Sequence, residues 1–459
     1  MKSRLVHPAT LVLFVIALGF GLRLFHLDGQ SFWYDEAFSA GIARATTAQI
    51  LSNEFTDIHP PLYQLILHHW LVFGGSDFAI RFLSTTLGVA AIATIYSLGR
   101  ALFDDTVGLV AAAIAALSPY QVFYSQEARM YTLLLLLSSM ILLSYVRTLQ
   151  TNSRRWWFAY TASAVLGLYA HYLTALLLAS LHLHFAVHRT TRRKPWRRLA
   201  TSDGLVVLAF APQLLIFVTQ AQRVAGNDWI SQPNLAQLLS APYALVLSQF
   251  TSENLVPLAF AATLLLFIIT HLQAARELLR RRRESTPLGL LMCALWGPLL
   301  LSYAISQWRA VYLERSLMVA VPVLYLLLSW GAVRTRERYA NLVLLLVVGL
   351  FAMNALQNWY FDPDFGKPPF RAAAQFLQQR AGPGESILHT SDGAFLAFLH
   401  YADGPENYLL EGDPTPHLPL ETYRHFGGKT IPREEVAAPH FWLVVALDNS
   451  IDFQRELVD

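Results

Sequence analysis

Leu11–Leu22, Leu255–Ile269, Leu317–Trp330 and Leu342–Ala355 are apolar runs without a single charge. With their margins they approach the roughly 20 residues that a helix needs to cross a bilayer. In hydrocarbon every backbone N–H and C=O must be satisfied within the segment, so runs like these fold as helices. The composition agrees: 54% of the residues are hydrophobic, 14% are charged, and the mean hydropathy is +0.39. A soluble domain carries about a quarter charged residues. The chain of 459 residues therefore reads as a polytopic membrane protein.

The placement of the basic residues says more than the formal net charge of +3. They gather at Lys2/Arg4, Arg147/Arg154/Arg155, Arg189–Arg198, Arg276–Arg283 and Arg334–Arg338. Such clusters mark cytoplasmic loop ends under the positive-inside rule, and even the run at 280–283 reads that way and not as a nucleic-acid site. The first apolar run follows basic residues like a signal peptide but lacks a small-residue cleavage site, so an uncleaved helix with a cytoplasmic N-terminus is expected. Cys293 is the only cysteine, which excludes an intrachain disulfide and a cysteine-rich metal site.

With each basic cluster on one side, the spans between neighbouring clusters must be even in number. Spans near 8–27 and 79–101 leave 28–78 as a first outer loop, and spans near 106–122 and 130–147 put Tyr124–Tyr131 outside. The stretch 156–188 is predicted to cross twice, with an outer turn at Tyr169–Leu173 carrying His171. Further spans fall near 204–221, 243–272, 288–306, 316–332 and 340–358, for about eleven in all. Beyond Tyr360 the pattern changes. An amphipathic helix at 367–380, a strand at 385–390, a helix at 393–402 and a buried strand His440–Leu447 predict a small extracytoplasmic α/β domain over 360–459, after a membrane module of 1–359.

This topology puts polar clusters on the outer face. Asp35 and Glu36 are adjacent, and adjacent side chains point about 100° apart on a helix, so the two acids cannot share one role. Asp57 and His59 precede paired prolines, which favour extended chain and aim both side chains the same way. Such a pair can bind a divalent metal ion or grip a phosphate, with His171 as a third ligand for a metal. Glu127 and Arg129 sit between apolar runs, where a permanently charged guanidinium needs an anion: Glu127 itself or a substrate phosphate. Arg309, Glu314 and Arg315 complete the set. Acids, histidines and arginines on one face suit glycosyl transfer from a lipid phosphate, which needs a carboxylate base and cations for the leaving group.

In order along 1–360, the Asp35–Glu36 motif, "HPPL", "EARMY" and Arg315 ahead of Pro322 resemble the GT-C glycosyltransferases. The similarity is to protein O-mannosyltransferases, lipid A aminoarabinose transferases and the bacterial multispanning enzymes of glycosyltransferase family 39. The resemblance implies an inverting integral membrane enzyme of the bacterial cell envelope. Its donor would be a polyprenyl-phosphate-linked sugar and its acceptor a hydroxyl on protein, lipid or glycan, outside the cytoplasm. It further implies Asp35 as catalytic base with Glu36 as companion, and phosphate contact by Arg129, His59, Arg315 and Glu127. The departure is Ile58, where the aminoarabinose transferases carry a metal-binding glutamate; Asp57 is the neighbouring substitute. The competing reading is a transporter or flippase for lipid-linked saccharides, which internal repeats or mid-membrane helix breaks would favour.

Overall fold

The computed structural model describes residues 8–187, 195–225, 230–280, 286–382, 385–401, 406–411, 418–436 and 440–445. Parts of the basic clusters (Arg189–Lys194, Arg281–Arg283) and the end of the last predicted strand lie outside the described residues. The chain forms two compact units. The first comprises Met1–Phe25, Ile58–Leu62 and Ser84–Phe365; the second comprises His26–Asp57, Tyr63–Leu83 and Gly366–Asp459. Most of the segment 28–78 thus groups with the residues from 366 onward.

The first unit is a helical bundle. Among the described residues, seven helices are long and apolar enough to cross a membrane, or eight if one bent pair counts as a span. The sequence count of eleven is not reached on length, because several helices are short. Arg154–Ala170 and Thr174–Val187 have 17 and 14 residues. At 1.5 Å per residue they extend about 26 Å and 21 Å, against a hydrocarbon core of about 30 Å. The expected turn between them is present, with His171 as the C-cap in extended backbone. The span placed at 243–272 is instead two helices, Leu235–Leu247 and Val256–Arg280.

The bent pair, Asp105–Leu117 and Pro119–Ser125, turns by 61°. Pro119 has no N–H to give to Ala115, four residues back, so the helix must break there. The buried Arg23 repairs the break, donating to the carbonyls of Ala115 (2.9 Å) and Ala116 (3.1 Å) and to Ser125 Oγ (3.0 Å). The bend delivers the chain into the turn that holds Glu127 and Arg129. Close helix crossing beside it depends on glycine: a Cβ on Gly99 would lie 2.6 Å from Gly108 Cα.

The second unit contains a four-stranded sheet of β1 (Ser386–His389), β2 (Asn407–Glu411), β3 (Lys429–Pro432) and β4 (Phe441–Val444), ordered β3-β2-β1-β4. Every pairing is parallel. Parallel strands need crossover connections, and helix Asp392–Tyr401 supplies the one from β1 to β2. Phe370, Leu377, Ile387 and Phe398 form one core cluster. Phe395, Leu409 and Tyr423 form another with Ala37, Phe38 and Ile42, so helix Tyr34–Ala43 packs on the α/β elements.

Candidate functional site

In the second unit, Trp33 in extended backbone precedes helix Tyr34–Ala43, whose first turn carries Asp35 and Glu36. The helix separates the two acids. Glu36 is fully buried, and Arg81 reaches it with Nε (2.7 Å to Oε1) and Nη2 (2.8 Å to Oε2). Lys367 Nζ adds a third contact at 2.7 Å to Oε2. Burial alone would raise the Glu36 carboxyl, but Arg81 and Lys367 hold it well below the usual carboxylate range. Arg81 also donates to the carbonyls of Leu27 (3.0 Å), Gln30 (2.8 Å) and Ser31 (3.0 Å), so one guanidinium fixes both the acid and the segment leading to it.

A second network fastens the same segment. Asp77 accepts from Arg371, Tyr401 and His400, the last at 2.9 Å. Tyr401 Oη in turn accepts from the Phe32 N–H at 2.7 Å, and Ser31 Oγ accepts from the Arg371 N–H at 3.0 Å. Asp35 is left half-buried on a rigidly held turn, its carbonyl accepting from Ser39 Oγ at 3.0 Å. Arg81, Lys367, Asp77, Arg371, His400 and Tyr401 went unremarked in the sequence. The one signal for them was the cost of burying Glu36, which demands partners without naming them.

Breaking this buried ion pair leaves charges unpaired, which costs about 3–5 kcal/mol. Glu36→Gln is expected to lower the thermal midpoint sharply in detergent-solubilised protein, and an unchanged midpoint would count against the anchoring role. Because the folded carboxyl titrates below the unfolded one, its contribution is complete above the ordinary carboxylate range and is lost as the pH falls through the lowered value.

In the first unit, His59, Arg129, His171 and Arg315 come from four separate segments. Arg129 Nη2 lies 3.5 Å from His59 Nδ1, and the rings of His59 and His171 are 5.6 Å apart. Arg129 is 3% exposed and Glu127 1%, on a turn closed by the Arg129 N–H donating to the Glu127 carbonyl at 2.9 Å. Arg315 stands 6.0 Å from the centre of the Tyr131 ring. The His59 loop is held from behind: Gln220 Nε2 donates to the His59 carbonyl (3.0 Å), and Tyr172 Oη donates to Gln220 Oε1.

His171 Nδ1 accepts from the Leu173 N–H at 3.2 Å, which assigns the remaining proton to Nε2 in the neutral ring. That buried Nε2 has no hydrogen-bond partner among the described residues. Burial, with His59, Arg129 and Arg315 close by, pushes the imidazole down to about 3, so it stays neutral near pH 7. The cluster therefore combines fixed positive charge with an N–H donor, a set that accepts an anion.

The expected metal trio of Asp57, His59 and His171 is not assembled. Among the described residues, no three His, Cys, Asp or Glu side chains form a group that could hold a metal ion. Asp57 accepts from Gln64 Nε2 at 3.3 Å, and His59 and His171 keep company with guanidinium groups, which repel a cation. The donors present do not fit a divalent ion.

The fold has known counterparts. ArnT from Cupriavidus metallidurans in the apo state superposes with a TM-score of 0.61 at 13% identity, covering 89% of this chain and 86% of that one. The chain has the GT-C fold. ArnT bound to undecaprenyl phosphate matches at a TM-score of 0.56 and 14% identity, over 91% of this chain and 89% of that one. A further GT-C match is the archaeal oligosaccharyltransferase AglB from Archaeoglobus fulgidus, in complex with an inhibitory peptide and a dolichol-phosphate. It gives a TM-score of 0.51 at 14% identity, over 90% of this chain and 64% of that one. In sequence, a family model described as dolichyl-phosphate-mannose-protein mannosyltransferase matches residues 58–217, which contain His59, Arg129 and His171. No curated protein matches the chain. The GT-C resemblance drawn from the motifs thus recurs in independent comparisons of sequence and of structure.

Proposed function

We propose that this protein is an integral membrane glycosyltransferase that moves a sugar from a polyprenyl-phosphate donor to an acceptor hydroxyl on the extracytoplasmic side. The observation that carries this reading is the group of buried Arg129 and His171 with half-buried His59 and Arg315, an anion site within a bundle whose fold is shared with ArnT bound to undecaprenyl phosphate. Asp35 removes the proton from the acceptor hydroxyl, whose oxygen attacks the anomeric carbon. The bond from that carbon to the phosphate oxygen breaks, its electron pair stays on the polyprenyl phosphate, and the configuration inverts. Arg129 and Arg315 neutralise the charge that develops, and neutral His171 donates through Nε2. Glu127 sits beside Arg129 on the same turn and limits the excess positive charge. Glu36 positions the turn that bears Asp35.

Purified protein given a polyprenyl-phosphate sugar, with protein, lipid and glycan acceptors, is expected to release polyprenyl phosphate and glycosylated product. Movement of intact donor across reconstituted vesicles without any release of polyprenyl phosphate would overturn the reading in favour of a lipid-saccharide transporter.

A further inference from the structure

A cavity of about 520 Å³ opens in the first unit among the ends of Asp77–Leu102, Val256–Arg280 and Val321–Arg334, the start of Thr286–Ser306 and the loop 335–337. Its size falls within the roughly 300–1,000 Å³ of small-ligand sites. Arg276, Arg280, Arg334 and Arg336 line it and outnumber Glu277 and Glu337. Arg334 is paired with Asp104. Arg276, Arg280 and Arg336 have no carboxylate partner among the described residues. Arg276 and Arg280 are four apart on one helix, a like-charge spacing that is unfavourable until an anion sits against it.

The rest of the lining suits a lipid. The buried Trp330, with Leu102 and Leu288, gives the cavity an apolar side. Gln273, which lines the cavity, is fixed in place: its Oε1 accepts from Asn341 Nδ2 at 2.7 Å and its Nε2 donates to Glu337 at 3.4 Å. The helices whose ends frame the cavity are among those apolar and long enough to cross a membrane, so these ends fall at headgroup depth. Unpaired guanidinium groups there meet lipid phosphates, and basic pockets between membrane helices are known to hold anionic headgroups.

We propose that this cavity binds the headgroup of an anionic phospholipid, its phosphate held by Arg276, Arg280 and Arg336 and its chains lying along the apolar side. The inference stands apart from the glycosyltransferase reading, since it uses none of the residues assigned to transfer.

The test uses delipidated full-length protein in neutral detergent, titrated with phosphatidylglycerol, with phosphatidylcholine or with inorganic phosphate. Phosphatidylglycerol is expected to raise the thermal midpoint by at least about 2 °C, with phosphatidylcholine and inorganic phosphate giving little. Native mass spectrometry should find phosphatidylglycerol retained on the wild type. The variant Arg276→Gln/Arg280→Gln/Arg336→Gln should weaken binding at least about tenfold, as expected for charge-assisted phosphate contacts. Arg154→Gln/Arg155→Gln, which removes charge from another helix end, should bind as the wild type does. If the triple variant does not fold, Arg276→Gln alone should still weaken retention. Equal loss in the Arg154/Arg155 variant, an undiminished shift in the cavity variants, or an equal response to inorganic phosphate would each overturn the lipid site.

Discussion

Asp35→Asn is expected to lower turnover by about two to four orders of magnitude, the range that a positioned general base contributes. Asn matches Asp in shape, so the variant should insert, purify and melt like the wild type. The structure gives the reason for separating this effect from folding. Ser31, Phe32 and Glu36 are clamped by Arg81, Lys367, Tyr401 and Arg371, and none of those contacts uses the Asp35 carboxylate. Glu36→Gln should behave in the opposite manner, losing stability together with activity. Near-normal turnover in Asp35→Asn, measured as release of polyprenyl phosphate, would remove Asp35 from the mechanism.

What could be read from the sequence follows the range of the interactions involved. Uncharged apolar runs announce membrane helices because the bilayer acts on each run separately. The turn at His171 was legible because basic residues flank both arms, and the tail elements were legible from local periodicity at Phe370–Arg380, Ser386–His389 and Asp392–Tyr401. The short strands β2 and β3 were not, since four or five residues carry little pattern. The span placed at 243–272 ran across the loop 248–255, whose Ser248, Gln249, Thr251, Ser252, Glu253 and Asn254 separate Leu235–Leu247 from Val256–Arg280. Long-range pairs left no local trace. Arg81 lies 45 residues from Glu36, and Lys367 lies 331 residues away. Arg23 stands 92 residues from the carbonyl that Pro119 frees. Among the described residues no group of three His, Cys, Asp or Glu side chains could hold a metal ion, which a local reading of extended chain before prolines did not anticipate.

Arg129 provides the second large effect. Its guanidinium lies 3.5 Å from His59 Nδ1 and lowers the affinity of His171 for a proton, so it is central to the anion site and not peripheral to it. Removing one donor of a preorganised charge-stabilising site costs about 10²–10³ in rate. Arg129→Met should therefore reduce kcat by that factor and weaken inhibition by the product, polyprenyl phosphate, by at least about tenfold. A purely structural role would show as a lower thermal midpoint, with product affinity per folded molecule preserved. Arg129→Lys keeps the charge in a smaller change of shape and serves where the methionine variant folds poorly. It loses the forked geometry that matches a phosphate, so it should recover part of the rate and only part of the product affinity. Arg315→Lys should cost less, because that side chain stands over the face of Tyr131, an arrangement in which an ammonium also finds favourable contact. The decisive comparison is between kcat and product affinity. Removal of a group that stabilises the leaving phosphate must lower both, because the charge that group meets in the transition state is the charge the product keeps. Wild-type values of both in Arg129→Lys and Arg129→Met would remove the phosphate from this site.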